Sequence, residues 1–160
     1  MNRSKHRREF LQQVGGFGLG GLALGVNVES ARGFSANDTI QISAIGTGGR
    51  CLRLMRNLKQ LPGVRLTAVC DVYDANLEEA NKIADPNAFV TKYFPELLAR
   101  KDVDAVVISS PDHWHVPMTI AACEAGKDVY VEKPLTHILA EGAPVIEAAN
   151  RTGRIVQVGM

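Results

Sequence analysis

Three glycines with a spacing suited to phosphate binding follow a short β-branched run. Gly46, Gly48 and Gly49 come directly after the apolar residues 40–45, and a helical pattern starts at Gly49. The first glycine permits a tight turn, and the second lets the backbone approach a phosphate. The start of the following helix offers unpaired N–H groups and about half a positive charge. These residues predict a cradle for the pyrophosphate of a dinucleotide, made by Gly46, Thr47, Gly48, Gly49 and Arg50.

The glycine fingerprint departs from its usual form at one position, because its third glycine falls on Cys51. Alanine is accepted there, since the requirement is close packing of the helix on the strand, and a small thiol also meets it. The alternative is a glycine-rich turn in another kind of α/β domain. Further residues are needed to decide between the two.

An acidic residue supports the dinucleotide interpretation. A second β-rich run, residues 64–70, ends on Asp71, which lies 25 positions after Gly46. A carboxylate at this spacing can hold the adenosine ribose hydroxyls. Because it would repel a 2′-phosphate, we expect NAD rather than NADP, although the positive charge of Arg50 keeps NADP open.

Beyond the glycine turn, the sequence alternates between strand periodicity and helix periodicity. A doubly wound α/β Rossmann fold follows, with six parallel strands in the order 3-2-1-4-5-6 and helices on both faces, within one domain over residues 37–160. The predicted strands are 39–46, 64–71, 89–91, 103–109, 128–132 and 155–158. The predicted helices are 49–61, 76–84, 94–100, 116–125 and 138–152.

Two further polar segments follow predicted strand ends. Residues 109–115 follow the fourth strand, and Glu132-Lys133-Pro134 follows the fifth. Ligands of such sheets bind beyond the carboxyl ends of the strands, near the point where the strand order reverses. We therefore expect these segments to meet the glycine turn and Asp71 around one extended ligand.

At these segments the sequence resembles a known family, the Gfo/Idh/MocA oxidoreductases. The resemblance is carried in order by residues 46–50, 69–72, 110–115 and 125–134, and it extends over nearly all of the chain beyond residue 38. It implies an NAD-binding Rossmann domain of an enzyme that acts on CH–OH groups.

The resemblance also implies roles for individual residues. Lys133 corresponds to the catalytic lysine near the nicotinamide and the substrate alcohol, where a positive charge favours the alkoxide and a desolvated amine could relay a proton. Glu132 would bind the nicotinamide ribose, and Ser110-Pro111 would lie along the cofactor. His115 occupies the position of the family's histidine. The plainer alternative for Glu132 and Lys133 is a surface ion pair at a strand end. The implied cofactor-binding set adds Ser110, Pro111, His115, Glu132 and Lys133 to the glycine turn and Asp71.

A metal site is not expected. Asp112, His113 and His115 carry suitable ligand atoms, but alternation along an extended loop would separate them, and no further ligand cluster is evident. Trp114 fits a packing role as well as a ligand contact. Tyr73 fits an adenine contact as well as a plain loop aromatic.

The cysteines point to packed thiols. Cys51, Cys70 and Cys123 each fall inside a predicted strand or helix, and none has a CxxC spacing. They therefore indicate neither a disulfide framework nor a metal site. A Cys51–Cys70 bridge in an oxidising periplasm is the alternative.

The first 36 residues indicate an export signal rather than a folded element. The pair Arg7-Arg8 is followed after one residue by Phe10-Leu11, which resembles a twin-arginine signal read by the corresponding export machinery. Residues 14–26 are apolar but rich in glycine, and they are shorter than the about 20 apolar residues of a membrane span. We expect a periplasmic or other extracytoplasmic protein, with cleavage after Ser30 or after Gly33. An uncleaved tail is the alternative.

The charge distribution argues against a nucleic-acid partner. Residues 1–36 hold five basic and two acidic side chains, which leaves 13 basic and 15 acidic side chains beyond them. The chain beyond residue 36 is thus mildly acidic, with no basic run of the kind that binds phosphate backbones.

The resemblance implies a second, substrate-binding domain, and the sequence ends at Met160 before such a domain could begin. We interpret the chain as the cofactor half of an oxidoreductase for a sugar or polyol, inactive by itself. The alternatives are an NAD-dependent glycoside hydrolase of the same superfamily and a non-catalytic dinucleotide-binding remnant. A surface made to meet the second domain would favour self-association into a homo-oligomer.

Overall fold

The computed structural model describes residues 39–159, so the predicted export signal lies outside the described residues. Within them a six-stranded parallel sheet has the order β3-β2-β1-β4-β5-β6. The prediction of a doubly wound α/β Rossmann sheet is therefore confirmed. The strands are β1 (Ile40–Ile45), β2 (Val64–Cys70), β3 (Phe89–Thr91), β4 (Ala105–Ile108), β5 (Asp128–Val131) and β6 (Val156–Val158).

Helices connect the strands and cover both faces of the sheet. They are α1 (Gly49–Leu58), α2 (Asp74–Ile83), α3 (Phe94–Leu98), α4 (His115–Glu124) and α5 (Gly142–Thr152). Short 3₁₀ turns precede two of them, at Asp112–Trp114 and Leu139–Glu141.

All five helices differ from their predicted bounds by one to four residues, and the two largest differences have identifiable reasons. The first ends at Leu58 rather than Leu61, because the N–H groups of Gln60 and Leu61 donate to carbonyls three residues back and tighten the final turn. The last predicted helix, residues 138–152, begins as a 3₁₀ turn and becomes α-helical only at Gly142. Pro144 lacks an N–H group, so it is tolerated in a first turn but not further inside.

The strand side chains alternate between two hydrophobic clusters. Ile45, Ala68 and Val106 pack on one side of the sheet with α3, α4 and α5. Their neighbours Ala44 and Val69 pack on the other side with α1 and α2. The apolar runs of β1, β2 and β4 are thus explained by burial on both faces.

The alternation of side chains between the two faces of the sheet also determines whether the cysteines can pair. All three are free and buried. Cys51 belongs to the cluster beneath α1 and α2, whereas Cys70 belongs to the cluster on the opposite face of the sheet. The sheet itself separates the two thiols, and the Cys51–Cys70 bridge considered above does not form.

Candidate dinucleotide site

The glycine turn lies directly against the loop that follows β4. Gly46 adopts a left-handed conformation with φ of +77°, and a Cβ atom there would lie 2.5 Å from the backbone nitrogen of Ser110. The Gly46 N–H donates to the carbonyl of Cys70 at 2.9 Å. A tight turn and a close approach are both present, and only glycine satisfies both.

The next two glycines face open space. A Cβ atom on Gly48 or Gly49 would meet no heavy atom within 4 Å. Gly48 is the N-cap of α1, the first turn of this helix holds no acidic side chain, and no side chain caps its N–H groups. The start of α1 is therefore accessible to an anion, as a pyrophosphate site requires.

Asp71 holds the glycine turn in place. Its Oδ2 atom accepts hydrogen bonds from the Thr47 N–H at 2.6 Å and from Asn76 Nδ2 at 3.1 Å. Its Oδ1 atom accepts from the Tyr73 N–H at 2.9 Å. Since each carboxylate oxygen has two acceptor positions, Oδ1 can accept one more hydrogen bond. The proposed contact with a ribose hydroxyl stays a prediction, and Asp71 has a structural role that the sequence did not reveal.

A cleft of about 460 Å³ joins the glycine turn to the loops after β4 and β5. Within residues 39–159, the hydroxyl oxygen of Ser110 is buried without a hydrogen-bond partner. This orphaned hydroxyl and the open glycines fit a polar ligand laid along the cleft. The lining residues are Arg50, Ser109, Ser110, Asp112, His115, Glu132 and Lys133.

An ion pair crosses the cleft. Arg50 Nε donates to Glu132 Oε1 at 2.7 Å, and this hydrogen bond raises the pKa of the guanidinium. The Tyr130 hydroxyl donates to the same oxygen at 3.3 Å. Two separately predicted ligand residues are thus bound to each other, and Tyr130 joins them without having been recognised in the sequence. Its position two residues before Glu132 on one strand face was the available signal.

His115 bridges the two loops that border the cleft. The side chain is 1% exposed, with Nδ1 2.6 Å from the Pro134 carbonyl and Nε2 2.8 Å from the Ser110 carbonyl. The Lys133–Pro134 peptide bond on this loop is cis. With both nitrogens beside backbone carbonyls, His115 can contribute to cofactor binding through the loops that it positions.

The remaining predicted residues lie nearer to the solvent. Lys133 and Pro111 are exposed, Lys133 at the rim of the cleft. The desolvation expected for Lys133 is therefore not provided by the residues that the structure describes. Trp114 packs edge-on against Phe94, with ring centroids 6.4 Å apart, which favours the packing role. Tyr73 is largely exposed beside Asp71.

Two kinds of feature are absent from the described part of the chain. Between residues 39 and 159, no group of three or more His, Cys, Asp or Glu side chains could hold a metal ion. In the same range no helix is long and apolar enough to cross a membrane.

Comparison with known families assigns the chain. Residues 40–160 match the family model for Gfo/Idh/MocA, described as an oxidoreductase family with an NAD-binding Rossmann fold. The chain belongs to the Gfo/Idh/MocA family. The resemblance seen in the sequence is thereby confirmed.

Individual Gfo/Idh/MocA relatives are named either as glycoside hydrolases or as dehydrogenases. A glycosyl hydrolase family 109 protein of Solibacter usitatus is 37% identical over 131 residues, which cover 76% of this chain and 30% of the relative. An alpha-N-acetylgalactosaminidase of Shewanella oneidensis is 31% identical, covering 92% of this chain and 37% of the relative. The crystal structure of scyllo-inositol dehydrogenase from Lactobacillus casei with NAD(H) and scyllo-inositol has a TM-score of 0.69 and 27% identity, covering 76% of this chain and 36% of that one. This chain therefore spans about a third of the length of these relatives.

Proposed function

We propose that this chain supplies the NAD-binding half of an enzyme that oxidises a secondary hydroxyl of a sugar or polyol. The observation that carries the proposal is the single cleft in which Arg50 of the glycine turn, Ser110, Glu132 and Lys133 meet. When bound, NAD supplies the acceptor for the hydride that leaves the carbinol carbon.

The cleft and the elements beside it each have a role in holding the cofactor. The N–H groups at the start of α1 would bind the diphosphate, next to the open positions of Gly48 and Gly49. Asp71 would accept a hydrogen bond from the adenosine ribose, and Glu132 one from the nicotinamide ribose. The negative charge of Asp71 favours NAD over NADP, which carries a phosphate at the ribose 2′ position.

Lys133 is the proposed catalytic residue. Its exposed side chain lies at the rim of the cleft, beside the proposed ribose ligand Glu132. A neutral Nζ there would accept the hydroxyl proton, and the ammonium so formed would stabilise the alkoxide from which hydride leaves.

Titration calorimetry with the full 160-residue chain tests the cofactor assignment. We expect NAD to bind and NADP to bind more weakly. Equal affinity for the two would contradict the assigned role of Asp71, and binding of neither would overturn the proposal. Because the chain spans about a third of its relatives, we expect no turnover of a sugar or polyol by these residues alone.

A glycoside hydrolase is the second candidate function. It is favoured by one observation, that curated relatives covering up to 92% of the chain are named as family 109 glycosyl hydrolases or as an alpha-N-acetylgalactosaminidase. In such an enzyme bound NAD would oxidise a sugar hydroxyl only transiently. A preparation that also carries the substrate half discriminates between the two. NADH accumulation from a polyol supports the dehydrogenase, whereas glycoside cleavage that is lost when NAD is stripped supports the hydrolase.

Export through the twin-arginine route is also part of the proposal. It is supported by Arg7-Arg8 followed by Phe10-Leu11 and by the glycine-rich apolar stretch after them. This route carries folded proteins, so NAD could be bound before export. A reporter fused to residues 1–36 should reach the periplasm, and R7K/R8K should retain it in the cytoplasm. Equal export of both fusions would contradict the assignment.

A further inference from the structure

The Arg50–Glu132 ion pair joins the phosphate turn to the strand that carries the proposed catalytic lysine. The Glu132 side chain is 9% exposed, whereas that of Arg50 is 46% exposed. Within residues 39–159, Arg50 is the only ion-pair partner of this nearly buried carboxylate. The more accessible partner is thus the arginine.

Arg50 occupies an electrostatically unfavourable position within its own helix. It is the second residue of α1, at the positive end of the helix dipole, and the first turn contains no acidic side chain. A cation there is disfavoured unless an anion lies nearby. Glu132 supplies that anion in the structure, and a diphosphate at the same helix terminus would supply it equally well.

Glu132 cannot serve Arg50 and a ribose equally well through the same oxygen. Its Oε1 atom already accepts hydrogen bonds from Arg50 Nε and from the Tyr130 hydroxyl. With two donors already on this oxygen, a third is crowded. Departure of Arg50 would open a position there for a sugar hydroxyl.

The geometry points to an exchange of partners, in which the cofactor diphosphate and Glu132 compete for Arg50. Diphosphate binding would draw Arg50 away from Glu132 and so free Glu132 Oε1 for the nicotinamide ribose. This inference rests on the proposed NAD-binding function and adds a coupling between the two halves of the cofactor site.

Tyr130 would keep Glu132 oriented while Arg50 changes partner. A Cβ atom on Gly159 would lie 2.6 Å from the Tyr130 hydroxyl oxygen and 3.2 Å from Glu132 Cδ. The absence of a side chain at this position therefore gives Tyr130 and Glu132 room to lie together beside the main chain after β6. Tyr130 is a positioning residue in this scheme.

Binding of ADP, which carries a diphosphate but no nicotinamide ribose, tests the exchange. The full-length chain and Glu132→Gln are titrated with ADP, and with adenosine as the probe that lacks phosphate. If Glu132 competes for Arg50, Glu132→Gln should bind ADP about fivefold more tightly, as expected for a partly exposed ion pair. Adenosine affinity should stay the same, and Arg50→Gln/Glu132→Gln should lose the gain.

Asp112→Asn is the matched control, because Asp112 lines the same cleft and has no ion-pair partner among residues 39–159. It removes one negative charge without releasing Arg50. An ADP affinity of Glu132→Gln no higher than that of Asp112→Asn would overturn the exchange. Failure of the unmodified chain to bind either NAD or ADP would instead overturn the proposed function, and the exchange with it.

A measurement on the unmodified chain covers the case in which Glu132→Gln does not fold. The NMR signal of the Arg50 Nε–H group, assigned by its loss in Arg50→Gln, should shift on addition of ADP and stay in place with adenosine. An unchanged signal at saturating ADP would show that Arg50 keeps its partner, and the exchange would be wrong.

Discussion

Gly46 and Ser110 meet so closely that a Cβ atom on Gly46 would lie 2.5 Å from the Ser110 nitrogen and 2.7 Å from its Cα. Gly46 follows β1 and Ser110 lies beyond the end of β4, and these two strands are neighbours in the sheet. The strand order reverses between them, which is where ligands of this fold bind. The floor of the candidate site is therefore backbone packed against backbone.

Gly46→Ala should destabilise the fold. The left-handed conformation and the clash with Ser110 together should cost about 2–5 kcal/mol in free energy of unfolding. Urea denaturation measures the loss. Gly142→Ala is the control, because a Cβ there meets no heavy atom within 4 Å and Gly142 begins a helix. Equal stability of the two variants would contradict the close contact.

Gly48→Ala should impair NAD binding with little effect on stability. Gly48 has an ordinary φ of −68°, and no heavy atom of the described residues lies within 4 Å of the added methyl group. Replacing this N-cap glycine should cost no more than about 1 kcal/mol in stability. The methyl group would stand where the diphosphate approaches the backbone, so calorimetry should show about a tenfold loss of NAD affinity. Unaltered affinity would place the diphosphate elsewhere.

Asp71→Ala should lower the ratio of NAD to NADP affinity. Affinity for both cofactors should fall, because the Thr47 N–H loses its 2.6 Å hydrogen bond to Asp71 and the glycine turn loosens. The ratio isolates the loss of charge repulsion with the 2′-phosphate. Asp74→Ala is the control, since its carboxylate is 72% exposed and pairs with Lys92. A ratio that is the same in both variants would remove the assigned specificity role.

Cys51→Ala should make the fold less sensitive to alkaline pH. Burial raises the pKa of the Cys51 thiol from 9.0 to about 12. Between these values the folded state holds a proton that the unfolded state has lost, so the free energy of unfolding falls as pH rises from about 9 to about 12. Without Cys51, urea denaturation at pH 8 and pH 10 should show a smaller difference. A difference as large as that of the unmodified chain would contradict this account.

The order of elements followed from residue patterns that are local in the chain. Apolar runs such as Val106-Val107-Ile108 predict strands, and Gly126, with its positive φ, marks the end of a helix. Both signals lie within a few residues of the element that they predict. The six-stranded order is that of the doubly wound dinucleotide-binding fold, with right-handed parallel crossovers. The exact ends of helices and strands were harder to predict. The turn after Leu58, for example, depends on which carbonyl accepts a hydrogen bond from each N–H group.

The convergence of site residues was also open to sequence reasoning, because every one of them follows a strand end. What each side chain binds was decided only by tertiary structure. Arg50 and Glu132 are 82 positions apart, and His115 contacts two loops at once. The sheet puts Cys51 and Cys70 on opposite faces. Local periodicity predicts the element and the face on which a side chain lies. Its contacts depend on how elements far apart in the sequence pack together, and no short stretch of sequence specifies that packing.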